Sequence, residues 1–299
     1  MKKLLSIGPL FVIIAALLWS LDGLLRRSLF VLPPSTIVFW EHVLGALVLL
    51  PFVIQKRGEI AKLTRKEWIA ILVVSLFSGA LGTIFYTAAL GKVKFIQFSV
   101  VVLLQQLQPI WAISTAAILL KEKISRDFLK WAVLAIIASY FVTFKDLTIN
   151  LETGSGTVVA ALLALAAGVM WGSSTAFSKI VLNKVSYWIA TLLRFILAPV
   201  FAFLLIAGLN QTDTMFAITQ SQWLTLLTIT LSTGMVALLI YYYGLKKTPA
   251  RVTTICELVW PASAIFIDYF YFHKGLSPTQ IVGVVVLLYA IYKVTRFNK

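Results

Sequence analysis

The chain has 299 residues, 60% of them hydrophobic and only 12% charged, and its mean hydropathy is +0.95. A soluble domain is about half apolar and a quarter charged, so a water-soluble fold is excluded. The formal net charge of +15, from 26 Lys+Arg against 11 Asp+Glu, raises the question of nucleic acid until its placement along the chain is read.

Apolar runs of about 20 residues, the length that crosses a ~30 Å hydrocarbon core, recur at 7–25, 34–54, 68–90, 95–119, 127–145, 155–181, 184–208, 222–245, 250–272 and 277–296. The runs are continuous instead of alternating, which selects helices over a barrel. The expected fold is an all-α polytopic membrane protein with ten transmembrane helices and connections too short for a soluble domain. Lys2 and Lys3 precede an apolar run that continues past Leu18 without a small-x-small cleavage site, so it reads as a retained first helix.

Nineteen of the 26 Lys+Arg fall on the side that holds both chain ends, six on the other (Arg26, Arg27, Lys92, Lys94, Lys145, Lys274), and Arg194 inside a span. The positive-inside rule then makes both termini cytoplasmic, in a plasma (inner) membrane. The basic excess is a topology signal, and no nucleic-acid partner is needed to explain it. The lone Cys256 sits in an apolar run and reads as a small buried hydrophobe. Neither a metal nor a cofactor is expected, since there is no His/Cys cluster and no phosphate-binding G-x-x-x-x-G-K-[ST] loop.

The two halves echo one another. At a spacing of 152, Ala15-Ala16-Leu17-Leu18-Trp19-Ser20 meets Ala167-Gly168-Val169-Met170-Trp171-Gly172, and Pro109 and Ser125 meet Pro261 and Ser277. At 155, Trp68, Gly79 and Tyr86 meet Trp223, Gly234 and Tyr241. Five spans per half is an odd number, so the second copy enters the membrane from the opposite side, an inverted-topology repeat of residues 1–150 and 151–299. Gly154-Ser155-Gly156 reads as the flexible connection between them.

Several of these residues carry a family likeness: Trp19 and its counterpart Trp171-Gly172, Lys179 at the end of the sixth span, Arg194 in the seventh, and Leu120-Lys121-Glu122-Lys123-Ile124-Ser125 after the fourth. With them the chain resembles the EamA type of the drug/metabolite transporter superfamily over essentially its whole length. That resemblance implies a ten-helix inverted-repeat carrier. Repeat one has Glu41-His42 where the family pattern often has Arg, and repeat two has His273-Lys274-Gly275-Leu276 where the first has the acidic motif.

A proline inside a helix removes the bond to the carbonyl four residues earlier. Pro109 and Pro261 lie near mid-span in matching places, which predicts kinks or hinges that free the carbonyls of Gln105 and Glu257 and point to a central transport site. Gln105 and Gln108 share a helix face, as do Glu257 and Trp260.

Ionisable groups at membrane depth cost roughly 2.5 to 3.5 kcal/mol each on insertion scales, so each needs a partner, a cavity or a function. Asp22 either lines the site or is neutralised by Arg26 one turn later. Glu41 has no basic residue three or four positions away, so its partner comes from another helix, a proton or a ligand. Arg194, at the corresponding depth, either pairs with Glu41 or Glu257 or meets the substrate. His42 is a packing or a site histidine, and Asp268, nearer a span end, reaches interfacial water. Trp19, Trp171, Trp260, Tyr86 and Tyr241 add aromatic faces beside carboxylates, suited to an ammonium or an amphipathic metabolite.

The expected function is secondary transport of a small polar or amphipathic metabolite, an amine or amino acid being favoured, by alternating access around a site between the first, second and fourth helices of both repeats. Protons are a candidate coupling ion. A facilitative uniporter or channel and a lipid-precursor flippase are the alternatives; an intramembrane enzyme is not, for want of a nucleophile or metal motif. Beyond substrate and bilayer, a monomer or a homodimer fits equally.

Overall fold

The structure is a computed structural model, and it describes residues 7–92, 104, 105, 107–143, 155–270, 273 and 275–297. Among the described residues every regular element is helical. The elements are α1 (Ile7–Trp19), α2 (Asp22–Arg26), α3 (Pro34–Val53), α4 (Arg65–Val74), α5 (Gly82–Gly91), α6 (Gln108–Leu119), α7 (Arg126–Thr143), α8 (Ser155–Leu182), α9 (Tyr187–Gly208), α10 (Gln220–Ile229), α11 (Met235–Lys246), α12 (Ala250–Cys256), α13 (Val259–Phe270) and α14 (Pro278–Thr295). Eight helical stretches among the described residues, of 18 to 29 residues each, are long and apolar enough to cross a bilayer. The chain is therefore a polytopic all-helical membrane protein.

These eight coincide with the first three and the last five expected spans. The expected span 95–119 begins outside the described residues, which show its later part as α6. The expected span 127–145 is α7, whose first five residues include Arg126, Asp127 and Lys130 and dilute its apolar character. Lys94, Lys145 and Lys274 lie outside the described residues, as does the side chain of Asp268. α8 already begins at Ser155, so the Gly154-Ser155-Gly156 connection is corrected: two of its three residues are helical, and Gly154 lies outside the described residues.

Local chemistry starts the helices at matched places. Thr64 and Glu67 form a capping box ahead of α4, and Thr219 and Gln222 form one ahead of α10, 155 residues later. Ser125 accepts the Phe128 amide at 3.1 Å at the start of α7, and Ser277 accepts the Gln280 amide at 3.3 Å at the start of α14, 152 residues later. These hydroxyls satisfy amides that the first helical turn leaves without partners. α4 runs into α5, and α10 into α11, through π-helical turns at Ser75–Leu81 and Thr230–Gly234.

Residues early and late in the chain interleave. α3 packs along α9, α1 along α11, α5 and α6 along α8, and α7 along α14. The α6–α8 contact is close because Gly172 and Gly168 face the carbonyls of Gln108 and Gln105; a β-carbon on them would lie 2.4 Å and 2.9 Å from those oxygens.

Two expectations about breaks are corrected. The first span is not one continuous helix: it turns at Ser20–Leu21, and Asp22 opens the separate helix α2. Pro109 and Pro261 are not kinks inside long helices either. Each lies in the first turn of a helix, α6 and α13, where a missing N–H costs nothing, and the chain between α12 and α13 is interrupted at Glu257–Leu258. The carbonyl of Glu257 is not left free, because the Trp260 amide donates to it at 3.0 Å.

Candidate functional site

The interruptions open inward. A cavity at the centre of the bundle is lined by Trp19, Asp22, Glu41, His42, Tyr86, Gln105, Gln108, Trp171, Arg194, Tyr241, Glu257 and Trp260, and by Pro109 and Pro261. Every residue singled out from the sequence as a binding or hinge candidate is thus brought to one place, although they come from α1, α2, α3, α5, α6, α8, α9, α11, α13 and the segments at Gln105 and Glu257.

One wall is ionic. Arg26 Nε donates to Asp22 in the same short helix, and Arg26 Nη2 donates to Glu41 Oε2 of α3 at 2.7 Å. Thr233, in the second π-helical turn, donates to Asp22 Oδ1 at 2.7 Å. Arg26 is only 3% exposed, so it is not one of the surface charges that set topology. It lies in the short helix after the turn at Ser20–Leu21, with its guanidinium against Glu41 of α3.

Arg194 is the second cation of the cavity, and of the two readings weighed for it the pairing with Glu41 or Glu257 is corrected. It donates through Nη2 to the Ser78 carbonyl at 3.0 Å and through Nη1 to the Tyr242 hydroxyl at 3.5 Å, and forms no ion pair with Glu41 or Glu257 among the described residues. The π-helical turn makes this possible, since it presents the Ser78 carbonyl, shared with the Thr83 hydroxyl at 3.0 Å, toward α9. His42 bonds through Nδ1 to the Val38 carbonyl at 2.9 Å and stacks 4.6 Å from Phe195, so its edge is occupied by its own helix.

A different wall is amide and aromatic. Glu257 accepts from Gln108 Nε2 at 2.6 Å on one oxygen and from the Tyr241 hydroxyl at 2.8 Å on the other. The rings of Trp19 and Tyr241 stand 5.1 Å apart at 51°, and those of Tyr86 and Trp171 stand 5.1 Å apart at 52°. Trp260 completes the second group, 6.4 Å from Tyr86 at 68°. Five cavity side chains keep a buried polar atom without a partner among the described residues: Arg26 Nη1, Gln105 Oε1, Arg194 Nε, Thr254 Oγ1 and Trp260 Nε1. Such a surface, apolar rings with a few unsatisfied polar groups, is built to hold an organic molecule.

A family model described as the EamA-like transporter family matches residues 6–144 and again residues 158–296. The chain belongs to the EamA-like transporter family. Among relatives, this EamA-like transporter is 35% identical over 294 residues to the riboflavin transporter ImpX of Fusobacterium nucleatum, covering 97% of this chain and 98% of that protein. It is 25% identical to the uncharacterized transporter sll1164 of Synechocystis, over 82% of this chain and 70% of that one. A solved crystal structure shares the fold, with a TM-score of 0.74 over 98% of each chain at 18% identity. Family membership makes the protein a transporter and not an enzyme.

Sequence reasoning missed several residues of the EamA-like transporter's cavity: Arg26, Ser78, Thr233 and Tyr242. For Arg26 the signal was present. Glu41 lacked a partner on its own helix, and the guanidinium of Arg26, one turn from Asp22, carries enough donors to serve a second carboxylate. Lys179 and Glu122, which carried the family likeness, do structural work outside the cavity. Lys179 donates to the carbonyls of Leu245, Lys246 and Thr248 at the end of α11, and Glu122 accepts the Ala250 and Arg251 amides at the start of α12.

Proposed function

We propose that the protein is a secondary carrier of a planar heteroaromatic metabolite of the riboflavin type, moved by alternating access between two five-helix halves, 1–150 and 151–299, of inverted topology. The observation that carries this reading is the pair of aromatic couples, Trp19–Tyr241 and Tyr86–Trp171, with nearly identical separation and tilt. Each couple joins one residue of each half, and its members stand 152 and 155 positions from those of the other. The family matches, which begin at residues 6 and 158, repeat the 152-residue offset. A site built by both halves is what a rocking mechanism requires. The 35% identity to a riboflavin transporter over nearly the full chain supports the substrate class. Flat rings stack well on indole and phenol faces. In this reading ten helices cross the plasma membrane, and both termini are cytoplasmic.

The decisive measurement is uptake of labelled riboflavin into liposomes holding the purified protein. Saturable uptake and counterflow from preloaded vesicles are expected; unsaturated flux without counterflow would mark a channel, and no riboflavin flux at all would end the flavin reading.

A second reading, an amine or amino-acid substrate, is favoured by Glu257, whose hydrogen-bond donors among the described residues, Gln108 and Tyr241, are both neutral. Against it, Asp22 and Glu41 are already engaged by Arg26. Amines that compete with riboflavin in the same vesicles would restore it. For coupling to protons, Glu41 or Glu257 is the carrier. Glu41→Gln and Glu257→Gln vesicles are expected to differ from wild type in uptake driven by a pH gradient, and two fully active variants would exclude that coupling.

A further inference from the structure

The two aromatic couples have matching geometry but unequal polar surroundings. Beside Trp19–Tyr241 the tyrosine hydroxyl and the nearby carboxylate are both occupied: Tyr241 donates to Glu257, and Gln108 fills the other carboxylate oxygen. Beside Tyr86–Trp171 the position 152 residues before Glu257 is Gln105, 9% exposed, whose Oε1 acceptor has no partner among the described residues. The Nε1–H donor of Trp260, whose ring lies 6.4 Å from Tyr86, is equally without one. Gln105 is held at this couple because its backbone lies against Gly168, one turn before Trp171 on α8. Leu104, next to it, packs in the same apolar cluster as Tyr86, Trp171 and Trp260.

A buried acceptor and a buried donor without partners each carry a desolvation cost that a ligand with the opposite pattern removes. Both line the cavity together with an aromatic couple, so one flat molecule can satisfy both at its rim while a face rests on the rings. The pattern required is a ring N–H next to a ring carbonyl. We propose that the Tyr86–Trp171–Trp260 group, with Gln105, is the subsite that reads the lactam or imide edge of a fused heteroaromatic ring. The ring N–H donates to Gln105 Oε1, and Trp260 Nε1–H donates to the adjacent ring carbonyl. The opposite couple, whose tyrosine hydroxyl is already spent on Glu257, contributes ring contact. This deepens the carrier reading above and rests on it.

Because the edge is read by hydrogen bonds inside a dry site, analogues that lack the N–H are rejected far more strongly than analogues that lack a solvated tail. The test uses the full-length purified protein in detergent and the quenching of flavin fluorescence on binding, with riboflavin, 3-methylriboflavin and lumichrome as probes. Lumichrome, which keeps the imide edge and lacks the sugar-alcohol tail, is expected to displace riboflavin. N3-methylation is expected to weaken binding tenfold or more in the wild type. In Gln105→Leu, riboflavin itself is expected to bind tenfold or more weakly, with no further loss on methylation. Trp260→Phe, which keeps the ring and removes the donor, is expected to weaken riboflavin about fivefold or more. 3-Methylriboflavin that binds the wild type as tightly as riboflavin overturns the inference and leaves flavin transport standing, and this comparison needs no variant to fold. If neither riboflavin nor lumichrome binds, the substrate reading fails and the edge-reading subsite fails with it.

Discussion

Positions 22 and 26 and positions 174 and 178, 152 residues apart, face the same cavity with opposite solutions to the problem of polarity in a membrane. The first pair is Asp22 and Arg26, charged, buried and closed into a cluster by Glu41. The second is Ser174 and Ser178, which bond the Trp171 carbonyl at 2.9 Å and the Tyr242 hydroxyl at 3.2 Å. The second half brings Arg194, held by a carbonyl and a phenol, and Glu257, held by an amide and a phenol, and the two form no ion pair with each other among the described residues. Helix starts, π-helical turns and aromatic couples recur in both halves, while the charges do not. Shape is set by groups that act on their own helix, and so it repeats. Charge has to balance only once across the whole cavity, so each half is free to carry a different share.

The largest effect should come from breaking the closed cluster. Arg26→Leu leaves two carboxylates in a buried site without their cation, and removing one partner of a buried ion pair costs about 3–5 kcal/mol. Thermal unfolding of the purified protein should drop sharply or the protein should fail to run as a single species. Adding Asp22→Asn and Glu41→Gln to Arg26→Leu removes the orphaned charges and should recover most of the loss. An Arg26→Leu protein as stable as wild type would mean that the cluster holds nothing together.

Arg194→Met should be milder. It removes a charge-assisted hydrogen bond, worth about 1.5–3 kcal/mol, but the Ser78 carbonyl keeps its bond from Thr83. The variant should fold and purify, with a lower unfolding midpoint than wild type and a higher one than Arg26→Leu. The reverse order would show that the lone cation, and not the closed cluster, bears the structural role.

The sequence made the broad architecture legible because hydropathy, capping residues and the spacing of Trp, Tyr and Pro act locally. About half of the cavity's lining could be named for the same reason, since charged and aromatic groups at membrane depth are few, whereas hydroxyls such as Ser78 and Thr233 are common there and do not stand out. Which atom meets which was not legible. Arg26 was read as an outer charge because nothing in the apolar run announces the turn at Ser20–Leu21. The Gln108–Glu257 bond joins residues 149 positions apart and depends on how α6 and the α12–α13 interruption meet. Pro109 and Pro261 were placed at mid-span by counting, but a proline's effect depends on whether helix precedes it, and interruption there turns a kink into a helix start.

The finest comparison is between the two tyrosines of the aromatic couples. Tyr241 and Tyr86 are 6% and 4% exposed and stack on their tryptophans at the same distance, so Tyr→Phe leaves both stacks intact. What it removes differs. Tyr241→Phe takes a donor from Glu257 Oε1, a loss of about 1 kcal/mol or somewhat more for a buried bond to a carboxyl group. Tyr86 makes no bond to a carboxyl group among the described residues, and Tyr86→Phe should stay within about 0.5 kcal/mol of wild type. Thermal unfolding of the two tyrosine variants, of Glu257→Gln and of Tyr241→Phe combined with Glu257→Gln measures this directly. The double variant should cost less than the sum of its parts, because both changes dismantle one bond. Equal effects of Tyr241→Phe and Tyr86→Phe would show that the two couples differ in ring contacts alone, and would remove the polar asymmetry on which the edge-reading subsite depends.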